Sequence, residues 1–331
     1  VGGDIPSSST VATGTLYSLV QTGLDPATVY YYRISAVVDL ESSYLTGDET
    51  TLTPSISGFY TIGPNSGDDY PSITSAIADI VINGIAGPAR FELQYGYDAA
   101  AAELFFPIII PELYGISSEN PVIFYPGVSG LVIDGTSSIG TFLFDGADYV
   151  TIDGRTGETG TAKDLVIKNS NPDGYAIKFI NDASNDSVKF CKLKGVNSGT
   201  SGVVWYSTTN RITGNNNIIF DYCDVGGDGT NYPTYGFYSS GTDNIGNSVK
   251  SILNSNIFDF RGMIAAGICI LSNNTTWGTY DSDWKITGNS LYQQTPYPGE
   301  EGSAVSGINI NSTGYTYVYG NHFTITGNYI G

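Results

Sequence analysis

Histidine and methionine are nearly absent from this chain, each occurring once in 331 residues. With His322 as the single imidazole, chemistry built on histidine pairs is excluded. Cysteine is scarce too: Cys191, Cys223 and Cys269 are too few to staple a disulfide scaffold. Basic residues are outnumbered, 13 Lys and Arg against 32 Asp and Glu, giving a formal net charge of −19. That balance excludes a nucleic-acid partner, whose phosphates demand clustered cations. Long apolar runs are missing as well. The longest, LFFPIIIP at 104–111, is interrupted by Pro107 and Pro111, so no membrane insertion is expected. No secretory leader precedes Val1, and the numbering is expected to start after processing or inside a longer protein.

What the chain does hold is 42 Gly, 25 Tyr and abundant Asn, Ser and Thr, the composition of many short strands joined by turns. It also repeats itself. DWKITGNSL at 283–291 returns as HFTITGNYI at 322–330, with looser versions at 217–225 (NIIFDYCDV) and 186–193 (DSVKFCKL). The shared frame places Asn or Cys two positions before a final apolar residue. Those final residues are Leu193, Val225, Ile257, Leu291 and Ile330, spaced 32, 32, 34 and 39 apart, with Ser255 in the Asn/Cys slot at Ile257. A second strand family, GVVWYS (202–207), YGFYSS (235–240), AGICILSN (266–273) and SGININ (306–311), falls between the frames. Periods of this size belong to repeat architectures.

A parallel β-helix explains the repetition physically. Each coil lies about 4.8 Å from the next, so an inward side chain must fill the slot its neighbours fill. Asn289 and Asn328 are expected in one stack, continued by Cys223 and Cys191. The two thiols stand at a separation compatible with a disulfide, though buried thiols filling a slot are the preferred reading. Residues 72–83 read as one amphipathic helix: Ser72 caps it, Ile73, Ala76, Ile77 and Ile80 share a face, and Asn83–Gly84 ends it. It is expected to cover the open edge of the first coil. PSISG at 54–58 reads as a linker. Before it, TLYSLV (15–20), TVYYYRISAVV (28–38) and DETTLT (48–53) read as strands.

Two resemblances follow. TGLDPATVYYYRISAV resembles the later half of a fibronectin type III domain, so 1–54 is expected to be a partial fibronectin-like β-sandwich. The phrases DYPSI and VTIDG, within the coil pattern, resemble the pectin-lyase-type superfamily. The expectation for 55–331 is therefore an all-β, right-handed parallel β-helix with its capping helix near 72–83. Together the two parts resemble large secreted surface proteins of Bacteroidota exported by the type IX system, which implies an extracellular or cell-surface location.

Lyases of that fold use Arg or Lys as base with Asp-held Ca²⁺. Arg90, Arg155, Arg211 and Arg261 are the arginines of the helix, and neither the Arg-x-Pro-x-x-Arg run of pectate lyases nor the Gly-His-Gly of galacturonan hydrolases is present. Arg211 with Asp221 and Asp224 is the catalytic set if the protein is a lyase. Asp221, Asp224 and Asp228 are the candidate Ca²⁺ ligands, with Asp259 from the next coil, set against a reading of solvated turn residues. Asp153 reads as a turn former and His322 as an exposed turn residue. Lys163, Lys168, Lys178, Lys189, Lys192 and Lys194 cluster in two coils, read as paired with neighbouring Asp residues in preference to a glycan patch. Trp277, Tyr280, Tyr297, Tyr315 and Tyr317, in long loops, are candidate platforms for sugar rings. The expected function is a non-enzymatic stalk, adhesin or filament component that contacts glycans or other surface proteins. It needs no cofactor, with Ca²⁺ as an optional ion, and the incomplete first module leaves self-assembly open. The alternative is a lyase or hydrolase of acidic glycans.

Overall fold

A computed structural model describes residues 29–38, 41–50, 55–199, 201–207, 213–240, 247–273, 281–297, 299, 302–313 and 322–331. The chain divides into two units, Val1–Thr53 and Pro54–Gly331. In the first, Val29–Val38 and Glu41–Thr50 form an antiparallel ladder from Val29↔Thr50 to Val38↔Glu41. The first strand falls within the expected 28–38. The second, at Glu41–Thr50, begins before the 48–53 expected. An antiparallel partner needs only backbone donors and acceptors, so the polar ESSYLTGDET pairs along its whole length. The run at 15–20 lies outside the described residues.

The second unit is a parallel β-solenoid of right-handed type with about seven turns. Three parallel sheets run along the solenoid, and each coil between Val122 and Thr313 contributes one strand to each. Sheet 1 has nine strands, from Ile56–Ile62 to Thr324–Thr326. Sheet 2 has seven, from Leu131–Asp134 to Tyr329–Ile330, and sheet 3 seven, from Ile108–Pro111 to Ala304–Thr313. The chain visits them in the order 1, 2, 3 and then climbs one coil.

The repeated apolar positions form a column. In sheet 2, Ile133 pairs with Ile167, then Leu193, Val225, Ile257, Leu291 and Ile330 in unbroken register. Sheet 1 carries a parallel column of Phe91, Phe124, Ile152, Val188, Phe220, Ile252, Ile286 and Ile325. Most of these side chains are buried, and each contributes roughly 1.5–3 kcal/mol relative to exposure.

A single residue turns the corner from sheet 1 to sheet 2. Phe190 (φ 53), Tyr222 (φ 53), Asn254 (φ 47), Gly288 (φ 71) and Gly327 (φ 64) all occupy it in the left-handed region. The repeated Thr-Gly-Asn phrase is now explained. Gly meets a conformation that disfavours a Cβ, and the following Asn turns inward as a rung.

One expectation is corrected. Residues 54–58 were expected to be a linker, but Ile56–Ile62 is the first strand of sheet 1 and pairs in parallel with Ile85–Leu93. Gly58, at φ 99 where the register shifts, hides the strand pattern from a period-two reading. The helix Ile73–Asn83 is the crossover between these strands. Ser72 and Ser75 form a reciprocal cap, Ile73, Ala76, Ile77 and Ile80 are buried, and the Gly84 N–H donates to the Ile80 carbonyl at 2.7 Å.

Candidate functional site

The loops from sheet 2 to sheet 3 are stitched from coil to coil. The Ser198 N–H donates to the Pro172 carbonyl (3.3 Å), Thr234 Oγ1 to the Ser198 carbonyl (2.8 Å), and the Arg261 N–H to the Pro233 carbonyl (2.8 Å). Bonds between loops of different coils hold this corner as one surface. On it lies a cleft of about 560 Å³, with walls from five successive coils: Ser170 and Pro172, Val196 and Ser198, Thr230 to Tyr232, Arg261 and Gly262, and Tyr297.

Arg261 organises one end. Its guanidinium carbon lies 3.5 Å from the Tyr232 ring centroid and 5.3 Å from that of Tyr297. Nη2 donates to the Thr295 carbonyl at 2.9 Å, Nε reaches Gln293 Oε1 at 3.5 Å, and Asp259 lies 3.7 Å away. Asp259 is itself buried and accepts the Gln294 N–H at 2.8 Å. The loop carrying Tyr297 is thus tied down by the side chains that fix Arg261. In the turn that leads into Tyr232, Asp228 accepts the N–H groups of Thr230 (2.8 Å) and Asn231 (2.7 Å). Burial pushes the Asp228 carboxyl up, but the donors of Asn231 and Thr230 outweigh it and hold it below the usual carboxylate range.

Of the five aromatic candidates, Tyr297 lines this cleft. Trp277, Tyr280, Tyr315 and Tyr317 lie outside the described residues, as does Arg211. The three acidic candidates do not converge. Asp221 Oδ1 accepts from Asn254 Nδ2 (2.9 Å), Asp224 pairs with Lys163 and accepts from Asn256 Nδ2 (2.7 Å), and Asp228 holds the Thr230–Asn231 turn. Among the described residues no three His, Cys, Asp or Glu side chains are grouped as metal ligands. Asp153 is a fully buried carboxylate bridged by Arg155 (2.6 Å) and Lys189 (3.2 Å), and it also accepts the Arg155 N–H at 3.1 Å. Lys168 pairs with Asp134 at 3.0 Å, while Lys178 Nζ lies 3.6 Å over the Trp205 ring. His322, exposed at φ 73, approaches Asp283 at 3.1 Å.

The inward corner carries the ladder. The Asn289 N–H donates to Asn328 Oδ1 (2.9 Å), the Ser255 N–H to Asn289 Oδ1 (2.9 Å), and the Cys223 N–H to Ser255 Oγ (3.0 Å). Cys191 and Cys223 are buried free thiols. Burial raises both, Cys223 to about 12. A second ladder lines the turn from sheet 3 to sheet 1. The Ala183 N–H donates to Asn215 Oδ1 (3.1 Å), Asn215 Nδ2 to Asn247 Oδ1 (2.8 Å), and the Asn247 N–H to Asp281 Oδ1 (2.5 Å). Beside it Lys250, fully buried, donates to the backbone carbonyls of Asn215 and Ser248. These rungs are scaffold.

Sequence reasoning missed Tyr232 and Arg261 as cleft residues. Tyr232 sits in the aromatic loop DGTNYPTYGFY at 228–238 and Arg261 is one of the four arginines, but only the stacking of coils brings Arg261 against both Tyr232 and Tyr297. No protein-family model, curated protein or solved structure matches this chain.

Proposed function

We propose that the chain is a non-enzymatic, extracellular stalk or adhesin segment that contacts glycans through the cleft between its sheet 2–sheet 3 loops. The carrying observation is the Tyr232–Arg261–Tyr297 arrangement in a cleft whose other polar lining residues are Ser, Thr and Asn, beside Pro172, Val196 and Gly262. Aromatic faces stack on sugar rings, and neutral polar groups match their hydroxyls. None of the lining residues is a carboxylate, His or Lys, and Arg261, the residue type that lyases of this fold use as base, is held by the Thr295 carbonyl and stands beside Asp259. That supports contact over cleavage. The helix Ile73–Asn83 fits the role of cover for the first coil, shielding a sheet edge that otherwise invites aggregation. The fibronectin-like reading of 1–54 and the kinship with pectin-lyase-type and Bacteroidota surface proteins rest on the sequence phrases quoted above.

Incubating the intact chain with immobilised polysaccharides, with and without Ca²⁺, tests the proposal. Retention without any rise in ultraviolet absorbance or reducing ends is the expected result. Depolymerisation, particularly if lost in Arg211→Ala, overturns it in favour of a lyase or hydrolase.

A further inference from the structure

The charge and length of the cleft say more than that a sugar fits. This step rests on the glycan reading above. Arg261 is the one charged residue among those lining the cleft, and its capacity is already committed. The guanidinium lies over Tyr232 and Tyr297, Nη2 is held by the Thr295 carbonyl, Asp259 stands 3.7 Å away, and its side chain is only 15% exposed. The groups directly behind the lining add negative charge. Asp134 accepts from Ser170 Oγ at 2.9 Å and is paired with Lys168, and Asp228 holds the Thr230–Asn231 turn. An acidic sugar entering here would meet the Asp228 carboxylate, while the nearby cations are engaged, Lys168 by Asp134 and Arg261 by the buried Asp259, on a chain of net charge −19. The remaining lining polar groups are neutral: the hydroxyls of Ser198 and Thr230, the Asn231 amide and the two phenols.

The walls come from five successive coils, so the cleft runs along the solenoid axis for four coil steps, roughly 19 Å at about 4.8 Å per step. One coil step is close to the advance of one sugar in an extended β-1,4-linked pyranose chain. Successive sugars of such a chain are turned over, so a ligand lying in this direction presents the same edge to every second loop and the opposite edge to the loops between.

We infer that the cleft binds a neutral, extended β-1,4-linked oligosaccharide of about four sugars lying along the axis, and discriminates against uronate polymers.

Titration calorimetry on the intact chain tests this, with cello-, xylo- and manno-oligosaccharides of two to six sugars and hexagalacturonate as probes. At least one neutral series is expected to bind with Kd falling tenfold or more from disaccharide to tetrasaccharide and levelling off beyond it. Hexagalacturonate is expected to bind at least tenfold more weakly at the same ionic strength. Tyr297→Ala and Tyr232→Phe, checked for an unchanged circular dichroism spectrum, separate stacking from hydroxyl contact: the first is expected to weaken binding tenfold or more, the second by less. Tighter binding of hexagalacturonate overturns the neutral assignment while leaving the glycan reading standing. A Kd independent of length overturns the axial placement. Absence of binding by every probe, acidic and neutral, overturns this inference and removes support from the glycan reading itself.

Discussion

At the residue scale, the same position in successive coils is filled by different side chains for one reason, and the exceptions are informative. At the sheet 1–sheet 2 corner Gly288 and Gly327 adopt positive φ freely, whereas Phe190 and Tyr222 adopt it against a steric cost of about 1–2 kcal/mol. Their rings stack in parallel at 5.0 Å, which offsets part of that cost. The other exception is ionic. Asp281 stands where the inner ladder places Asn215 and Asn247, with Lys250 nearby and neither exposed. Burial pushes the Lys250 amine down to about 7 and the Asp281 carboxyl up to about 6. Asp186, also enclosed, is raised by burial, and its Oδ2 has no hydrogen-bond partner. The signs are opposite. Between about pH 7 and 10 the unfolded chain holds a lysine proton that the folded chain has released, so stability rises with pH there. Between about pH 4 and 6 the folded chain holds the extra carboxyl proton, so stability falls as pH rises. Urea midpoints of the wild type are therefore expected to be lowest near pH 6–7 and to climb on the alkaline side. Lys250→Met with Asp281→Asn is expected to abolish the alkaline climb and to gain about 1–4 kcal/mol at pH 7. An alkaline climb that survives in the double variant would exclude Lys250 as its source.

At the element scale, the helix Ile73–Asn83 depends on a distant carboxylate more than on its own cap. Ser72 Oγ accepts the Ser75 N–H at 3.0 Å, a contact of the kind whose loss costs about 1 kcal/mol. Glu103, buried and some thirty residues away, accepts the N–H groups of Ile73 (2.7 Å) and Thr74 (3.2 Å) and the Tyr97 hydroxyl (2.5 Å). Burial first, then that carboxylate, raises the Tyr97 hydroxyl far above its ordinary range. Glu103→Ala leaves those donors unsatisfied and is expected to cost about 2–3 kcal/mol, more than Ser72→Ala. Urea melts with unchanged m-values measure the difference, and an equal cost for the two would refute the ranking. The helix itself was legible, because Ile73, Ala76, Ile77 and Ile80 fall on one turn-periodic face. Its anchor was not, since nothing in the sequence ties Glu103 to residue 73.

At the scale of the whole molecule, the solenoid is a stack in which each coil touches chiefly its neighbours, so length is separable from fold. Phe190 and Tyr222 occupy equivalent corners, and Cys191 and Cys223 the positions that follow. Deleting residues 191–222 removes one full period and joins equivalent points. The product is expected to keep its β-rich spectrum and cooperative melting at somewhat lower stability. Deleting 191–206 removes half a period, taking out the sheet 2 strand Cys191–Gly195 and most of the sheet 3 strand Val204–Ser207 so that inequivalent points are joined, and is expected to abolish cooperative folding. Equal behaviour of the two deletions would contradict a stack of interchangeable coils.

By itself the sequence determined the column. Leu193, Val225, Ile257, Leu291 and Ile330 are spaced by the contour length of a coil, and a buried slot that recurs leaves its mark on composition and spacing without help from any distant contact. It likewise determined the helix face and the Thr-Gly-Asn corner, both consequences of local backbone geometry. What only the tertiary structure decided is which loop residues become neighbours across coils. Tyr232, Arg261 and Tyr297 lie in irregular loops of three successive coils, with three strands between each and the next. The strand at Ile56–Ile62, broken by Gly58, likewise became visible only through its pairing partner. Surface loops meet no recurring slot, so their sequences are free to vary, and their meeting is written in the stacking of coils.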